Sequence, residues 1–392
     1  MNKPYYKKRP IGSLAALCRT LRISEAILNR ITSHTHDFYS PHEVPKKNSN
    51  KKRQINIPNT LLKIIQKRIN REIFENVHYP NYLYGGLKDK DYVRNAKYHC
   101  PAEIIITIDV KDFYPSIKEQ HVKRIYTDLF KFNEPVAEAL TKLTTLRGSV
   151  PQGGCCSSYI ANLVLFDVES HKVNYIESMG FKYTRLLDDI CVSSKKNETE
   201  KRIECVITSI ASMLKSKNLK INNKKKSITT RANPENLMSI TGVWIDRGHP
   251  RAHRSERDEI KSEVFSIEKL AQNDPTLDEY HKKHNSASGR VAKLQYLAHV
   301  EAKSLRLRLQ NILPKYNEVE IAKTKNIVQS LARSKHDDRE SFDYITRYHQ
   351  TLFRVNIVAR SNAQLARRLR KTLRECRPSI KYSDHYYENE QA

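Results

Sequence analysis

Apolar positions along this chain change period several times, and each change marks an element. Between Ile11 and Ile31, the residues Leu14, Leu17, Leu21 and Ile27 recur at helical spacing. Residues 34–52 are polar, carry Pro41, Pro45 and the pair Lys46-Lys47, and read as a loop or linker. Arg53-Gln54-Ile55-Asn56-Ile57 then alternates polar and apolar up to Pro58, the pattern of a short strand stopped by proline. Leu61, Ile65, Ile69 and Ile73 follow at every fourth position and mark an amphipathic helix. Ile104–Ile108 is a β-branched run suited to a strand buried on both faces. Ser116-Ile117-Lys118-Glu119 has the form of a capping box opening a helix. Residues 154–178 read as one longer helix, Lys182–Ser194 as strand, turn and strand, and 198–217 as a helix. Short strands are expected within 219–230 and 237–245. From residue 254 the chain is nearly all helical, in the segments 254–272, 288–311, 317–334 and 337–376. There is no internal repeat and no long low-complexity tract.

Charge adds a partner to this outline. The 392 residues carry a net charge of +27, so the natural partner is a polyanion, and nucleic acid is the first expectation. A merely basic surface is the plainer reading. From Arg354 to Arg377 eight Lys and Arg face a single acid, Glu375, and Arg367, Arg368, Arg370 and Lys371 are the candidates for contact with nucleic-acid phosphates. A 39% hydrophobic share supports a real core and excludes general disorder. No uncharged apolar stretch has the length of a membrane span, and the apolar patch Ile11–Cys18 runs straight into Arg19 and Arg22, so neither a membrane partner nor a secretory signal is expected. The seven cysteines are scattered and form no C-x-x-C pair, so a reducing cytoplasm is the expected compartment.

The candidate chemistry lies in three aspartates. Asp109 ends the apolar strand, and Asp188-Asp189 sit at the tip of the expected hairpin, with apolar residues flanking both places. Carboxylates clustered at a core edge repel one another and shift their pKa values. Divalent cations relieve that repulsion, and Mg²⁺ takes oxygen ligands while keeping room for water and phosphate. Two such ions about 3.5–4 Å apart activate an attacking hydroxyl and stabilise a leaving oxygen. Taken alone, the Asp-Asp pair reads equally well as turn-forming residues.

Several ordered blocks surround these acids. Lys52-Arg53-Gln54-Ile55-Asn56-Ile57-Pro58 is followed by Leu62-Lys63-Ile64-Ile65-Gln66, then by Tyr84-Gly85-Gly86-Leu87 and Asn95-Ala96-Lys97-Tyr98-His99. Asp109-Val110-Lys111-Asp112-Phe113-Tyr114-Pro115-Ser116-Ile117, Val150-Pro151-Gln152-Gly153-Gly154 and Leu186-Leu187-Asp188-Asp189 come next. Asn223-Lys224-Lys225-Lys226-Ser227, Ile240-Thr241-Gly242 and Gly289-Arg290-Val291 with Leu294 and Tyr296 complete the series. Across residues 51–300 the chain resembles reverse transcriptases, specifically their bacterial retron-like and defence-associated branch.

The resemblance implies an α/β (α+β) right-hand polymerase fold, with mixed fingers and palm around a central antiparallel palm sheet, then an all-helical thumb and C-terminal extension. The expected divisions are an N-terminal helix and basic linker (1–50), fingers and palm (51–245), thumb (246–312) and extension (313–392). It makes Asp109, Asp188 and Asp189 ligands of two Mg²⁺ ions, with Mn²⁺ as an alternative, and gives Val110 a backbone carbonyl in the same role. Asp112 is expected to cap the next helix instead. Tyr114 matches the aromatic that excludes a ribose 2′-hydroxyl, so deoxynucleotides are the expected substrates. Arg53 and Lys63 would hold the triphosphate, and Gln152 and Gly153 would line the floor under the nascent pair. Lys226 would protonate departing pyrophosphate, with Lys224 and Lys225 leaving its register open by one. Plain packing or basic-surface roles are the alternatives for Tyr114, Arg53 and Lys63. Leu186 stands where the family has tyrosine, and Cys155-Cys156 are expected to be buried thiols.

The expected activity is RNA-directed DNA synthesis on a non-coding RNA, with an RNA–DNA hybrid as product, in antiphage defence. A partner protein or a second copy of the chain is left open. Leu186 and the tail Tyr382, Tyr386 and Tyr387 motivate an alternative, template-independent or protein-primed synthesis at the same site. A second alternative is an RNA-binding module with a polymerase-like fold and no catalysis.

Overall fold

The first two helices show how local signals divide a periodic segment. Arg22 takes a left-handed φ of 54° and ends α1 (Leu14–Leu21), and the Ser24 hydroxyl accepts the Ile27 N–H at 3.3 Å to open α2 (Glu25–Ser33). The computed structural model describes residues 3–45, 52–233, 237–335 and 337–380; contacts divide the chain into one unit ending at Pro250 and another starting at Arg251. Lys46-Lys47 and Tyr382, Tyr386 and Tyr387 lie outside the described residues.

Within the expected polar loop 34–52, residues 39–45 form a strand. In the first unit β1 (Tyr5–Tyr6) pairs with a later strand, whereas β2 (Tyr39–Pro45) and β3 (Lys52–Pro58) run antiparallel in register from Tyr39 opposite Pro58 to Pro45 opposite Lys52. Six of the seven β2 residues are exposed, so no buried face marks the strand in the sequence. Asn59 caps α3 (Thr60–Glu72); Ile65 and Ile69 are fully buried, as the four-residue spacing predicts, whereas Leu61 is half-buried and Leu62 takes the core place beside it. Then come β4 (Val77–His78), the partner of β1, and α4 (Tyr92–Tyr98).

The palm sheet is built on β5 (Ile104–Asp109), whose apolar run is buried except at Thr107. After it come α5 (Phe113–Ser116), α6 (Glu119–Arg124), α7 (Glu134–Thr144), α8 (Ser157–Leu163) and α9 (Glu169–Ser178). The hairpin β6 (Lys182–Leu186) and β7 (Asp189–Ser194) leads to α10 (Glu200–Lys215), β8 (Ser227–Thr230), β9 (Ser239–Ile240) and β10 (Val243–Trp244). The sheet order is β6-β7-β5-β8, antiparallel throughout, so the central antiparallel sheet is present. Two local expectations fail. Residues 154–178 form two helices because the chain turns at 164–168 while Leu165 and Phe166 stay in the core, which conceals the break from the apolar period. The helix expected at Ser116 opens three residues later, at Glu119, where His121 Nδ1 accepts the Lys118 N–H at 3.0 Å.

The second unit is helical. α11 (Arg254–Asn273), α12 (Asp278–Tyr296) and α13 (Ala302–Asn311) pack on one another, as do α14 (Glu318–Ala332), α15 (Phe342–Val358) and α16 (Ala363–Glu375). The latter three share an apolar cluster that includes Val328, Tyr348, Val355, Leu369 and Leu373. The expected helices 288–311 and 337–376 are each interrupted, the first near Ala298 with a left-handed φ of 52°, the second before Asn362, which caps α16. Among the described residues no helix is long and apolar enough to cross a membrane.

Candidate active site

Strand register brings the three acids together. Asp109 at the end of β5 pairs directly with Asp189 at the start of β7, and Leu187-Asp188 form the two-residue turn between β6 and β7. The Val110 N–H donates to the Asp188 carbonyl at 3.0 Å and ties the turn to β5. A buried ion pair supports the hairpin from behind. Arg185 is fully buried and grips Glu169 with Nε and Nη2 at 2.5 and 2.7 Å. Its remaining N–H groups donate to the carbonyls of Ala161, Asn162 and Leu187 at 2.9, 2.8 and 3.2 Å, so every side of the guanidinium is used.

The electrostatics match this crowding. Burial, followed by repulsion from Asp188 and Asp109, pushes Asp189 up to about 6. Asp188 is also raised, first by burial, against the pull of its own backbone, Lys225 and Arg53. Asp109 has both oxygens engaged, Oδ1 by Asn222 Nδ2 and Oδ2 by Lys225 Nζ, each at 2.8 Å. Contact with Asp109 raises the Lys225 ammonium pKa and keeps the lysine charged. Among the described residues no three His, Cys, Asp or Glu side chains converge as a finished metal cage. The donor chemistry nevertheless fits a hard divalent cation: three carboxylates at one strand end, two of them raised first by burial and then by neighbouring carboxylates, with Lys225 as the present counter-charge. A cation at Asp109 Oδ2 would compete with Lys225 for that oxygen.

A cleft of about 430 Å³ opens over Asp109 and Asp188, lined also by Val110, Arg53, Tyr114 and Gln152 among others; Asp189, paired with Asp109, does not line it. Tyr114 is pushed up to about 12 by burial and then by Asp188, while Arg53 opposes both effects on its neighbours. Besides Asp189, three expected residues are not at the cleft. Lys63 lies on α3, where its charge acts on Cys155. Gly153, at φ +107°, approaches β3: a Cβ there would lie 2.5 Å from Ile55 Cγ2 and 2.7 Å from the Asn56 carbonyl. That contact, with Asn56 N–H donating to the Gln152 carbonyl at 2.7 Å, docks the P-Q-G turn on the hairpin. Lys226 is exposed in the turn, and Lys225 lines the cleft in its place. Asp112 holds the N-cap position of α5 with φ 45°, but its side chain makes no capping bond; it is exposed at the cleft rim. Cys156 is buried and donates to the Gln66 carbonyl, whereas Cys155 is only half-buried.

Arg367, Arg368, Arg370 and Lys371 all lie on α16 of the second unit; Arg367, Arg368 and Lys371 are exposed away from its buried Ala366, Leu369 and Leu373, and half-buried Arg370 flanks that apolar face. Arg370 also bonds Asn356 at 2.9 Å. Arg354 and Arg360 are committed elsewhere, to Glu320 at 2.6 Å and to the Pro314 carbonyl at 2.7 Å. The basic stretch therefore narrows to the outer face of α16.

Sequence reading missed Asn222, Arg185 and Glu169, and it named Lys225 only as an alternative to Lys226. Asn222 adjoins a quoted block. Glu169 carries no local signal, because only the fold brings it to Arg185.

A family pattern described as reverse transcriptase (RNA-dependent DNA polymerase) matches residues 44–272. The chain is 37% identical over 373 residues to the Retron Se72 reverse transcriptase of Salmonella heidelberg (strain 579083-10), covering 95% of this chain and 98% of the relative. It is 30% identical over 377 residues to the Retron Ec48 reverse transcriptase of Escherichia coli, covering 92% and 91%. A solved apo telomerase from Candida tropicalis, truncated from its C-terminal domain, aligns at TM-score 0.40 and 12% identity over 59% of this chain and 61% of that one. The family pattern spans the strands that carry the acids and the near full-length relatives are retron enzymes, so the chain belongs to the reverse transcriptase family, in its bacterial retron branch, and is an RNA-directed DNA polymerase.

Proposed function

We propose that this polymerase extends a primer with deoxynucleotides at the Asp109–Asp188–Asp189 cluster, copying a non-coding RNA into an RNA–DNA hybrid. The observation that carries the reading is the pairing of Asp109 with Asp189 beside the Asp188 turn, at the edge of a cleft that also holds Arg53, Tyr114 and Gln152. The family uses divalent metal ions; here two Mg²⁺, held by the three carboxylates and the Val110 carbonyl, would activate the 3′-hydroxyl and offset charge at the α-phosphate. The protein supplies placement. Arg53 grips the triphosphate, Tyr114 fills the space of a ribose 2′-hydroxyl, and Asn222 orients the Asp109 carboxylate. Lys225, once released from Asp109, stands at the cleft to protonate departing pyrophosphate, the role expected of Lys226. Residues 51–245 act as fingers and palm, 246–312 as thumb and 313–392 as an RNA-binding extension. A cellular role in antiphage defence is part of the same proposal.

The test is the Asp188→Ala/Asp189→Ala double variant with purified RNA template. Loss of DNA synthesis with RNA binding retained is expected, together with loss of protection in a phage plaque assay. Full synthesis by the variant overturns the site. Tyr114→Ala is expected to admit ribonucleotides, and unchanged sugar selectivity removes the gate role.

A further inference from the structure

The turn that carries Asp188 has an unusual backbone. Leu187 adopts φ +59°, a left-handed conformation that is strained for a branched residue and that hairpin turns normally assign to glycine. Something outside the turn must hold it. Part of the restraint is Arg185, whose Nη1 donates to the Leu187 carbonyl. The rest is the segment before α4. Tyr84 N–H donates to the Arg185 carbonyl at 2.9 Å, and Arg185 N–H donates to the Tyr82 carbonyl at 2.8 Å, so residues 82–84 run beside β6.

Gly85 ends that run directly against Leu187. A Cβ on Gly85 would lie 2.4 Å from Leu187 Cγ, 2.6 Å from Cδ2 and 2.8 Å from the Leu187 nitrogen. The backbone of Gly85 does not demand glycine: its neighbour Gly86 has φ +64°, whereas Gly85 is absent from the left-handed positions. Only clearance excludes a side chain. Retreat is blocked as well, because Asn162, 1% exposed, donates Nδ2 to the Gly85 carbonyl at 2.6 Å. Leu83 and Tyr84 on the same segment are buried.

We propose that Gly85 is a positioning residue of the polymerase: its missing side chain forms the seat for Leu187 and thereby sets where Asp188 and Asp189 stand relative to Asp109. The inference rests on the reading that those aspartates are the catalytic acids. Gly85 touches neither substrate nor metal and acts only through the turn. A shift of about 1 Å at reacting groups costs on the order of 10²-fold in rate.

The experiment compares Gly85→Ala, Leu187→Gly and the double variant in the full chain with RNA template, measuring kcat, KM for dNTP, RNA affinity and the Mg²⁺ concentration for half-maximal rate. Gly85→Ala is expected to lower kcat about 10²-fold and to raise the Mg²⁺ requirement, with RNA affinity unchanged. Leu187→Gly removes two of the three close contacts and the left-handed cost. The double variant is therefore expected to recover at least tenfold of the kcat lost in Gly85→Ala. Wild-type kcat in Gly85→Ala overturns the proposal. So does a double variant no better than Gly85→Ala, which would mean a folding defect, or a loss of RNA affinity that accounts for the rate. Synthesis by Asp188→Ala/Asp189→Ala would instead overturn the active-site reading, an outcome separate from these three.

Discussion

One residue of register separates two lysines with different fates. Lys225 meets Asp109 at 2.8 Å while Lys226 faces solvent, although both sit in the same basic turn. Lys225→Ala is expected to lower the rate of nucleotide addition about 10²-fold or more, the range for a lost general acid, while Lys226→Ala stays near wild type. Single-turnover incorporation of one dNTP checks both. Equal effects of the two substitutions would remove the assignment. The placement of the acids was legible from residues alone, because Asp109 ends an apolar strand and Asp188-Asp189 occupy a turn, while the role expected of them came with the resemblance. Which lysine answers them was not legible. Three consecutive lysines have the same local pattern, and only the path of the turn chooses among them.

At the scale of elements, α4 fastens the β6–β7 hairpin from the side. His99, just past its end, bonds the Ser193 hydroxyl on β7 through Nδ1 and the Thr184 hydroxyl on β6 through Nε2, both at 2.7 Å. Burial, then Lys182, lowers its pKa to about 3, so the folded protein holds the ring neutral. The unfolded chain takes up a proton near pH 6.5, and below that value it binds more protons than the native state. Stability from this residue is therefore complete above about pH 6.5 and is lost as pH falls toward 3. His99→Gln is expected to flatten the acid limb of a denaturation-versus-pH curve between pH 6.5 and 4 while lowering stability at pH 8 by about 1–3 kcal/mol, the cost of disturbed buried hydroxyls. An acid limb identical to wild type would refute this. The block Asn95–His99 was visible in the sequence, and its role as a clasp across two strands was not.

For the whole molecule, the charge of +27 resolves into separate jobs. Arg185 neutralises Glu169 inside the core, Arg354 and Arg360 brace the second unit, and Arg367, Arg368 and Lys371 remain exposed on α16. Replacing these last three by alanine is expected to reduce the slope of log affinity for RNA against log salt by about 2–3. Arg360→Ala is expected to leave that slope unchanged. Filter binding between 50 and 300 mM salt, on the order of the range where counterion release is measurable, reads the difference. An unchanged slope in the triple variant would leave α16 a solvated face.

The sequence by itself determined the chemistry and the broad architecture, because both depend on local patterns. An apolar strand must end somewhere, two acids at a hairpin tip need a counter-charge, and a basic amphipathic helix is visible in its period. It misjudged β2, the break after α8 and the start of α6, where exposed strands or buried turns erase the periodic signal. Tertiary structure alone decided which distant residues meet. The Asp109–Asp189 register, the Arg185–Glu169 pair, the Lys225 contact and the clearance at Gly85 join positions far apart in the chain. Such contacts are properties of packing, in which a single absent Cβ can decide where a catalytic turn stands.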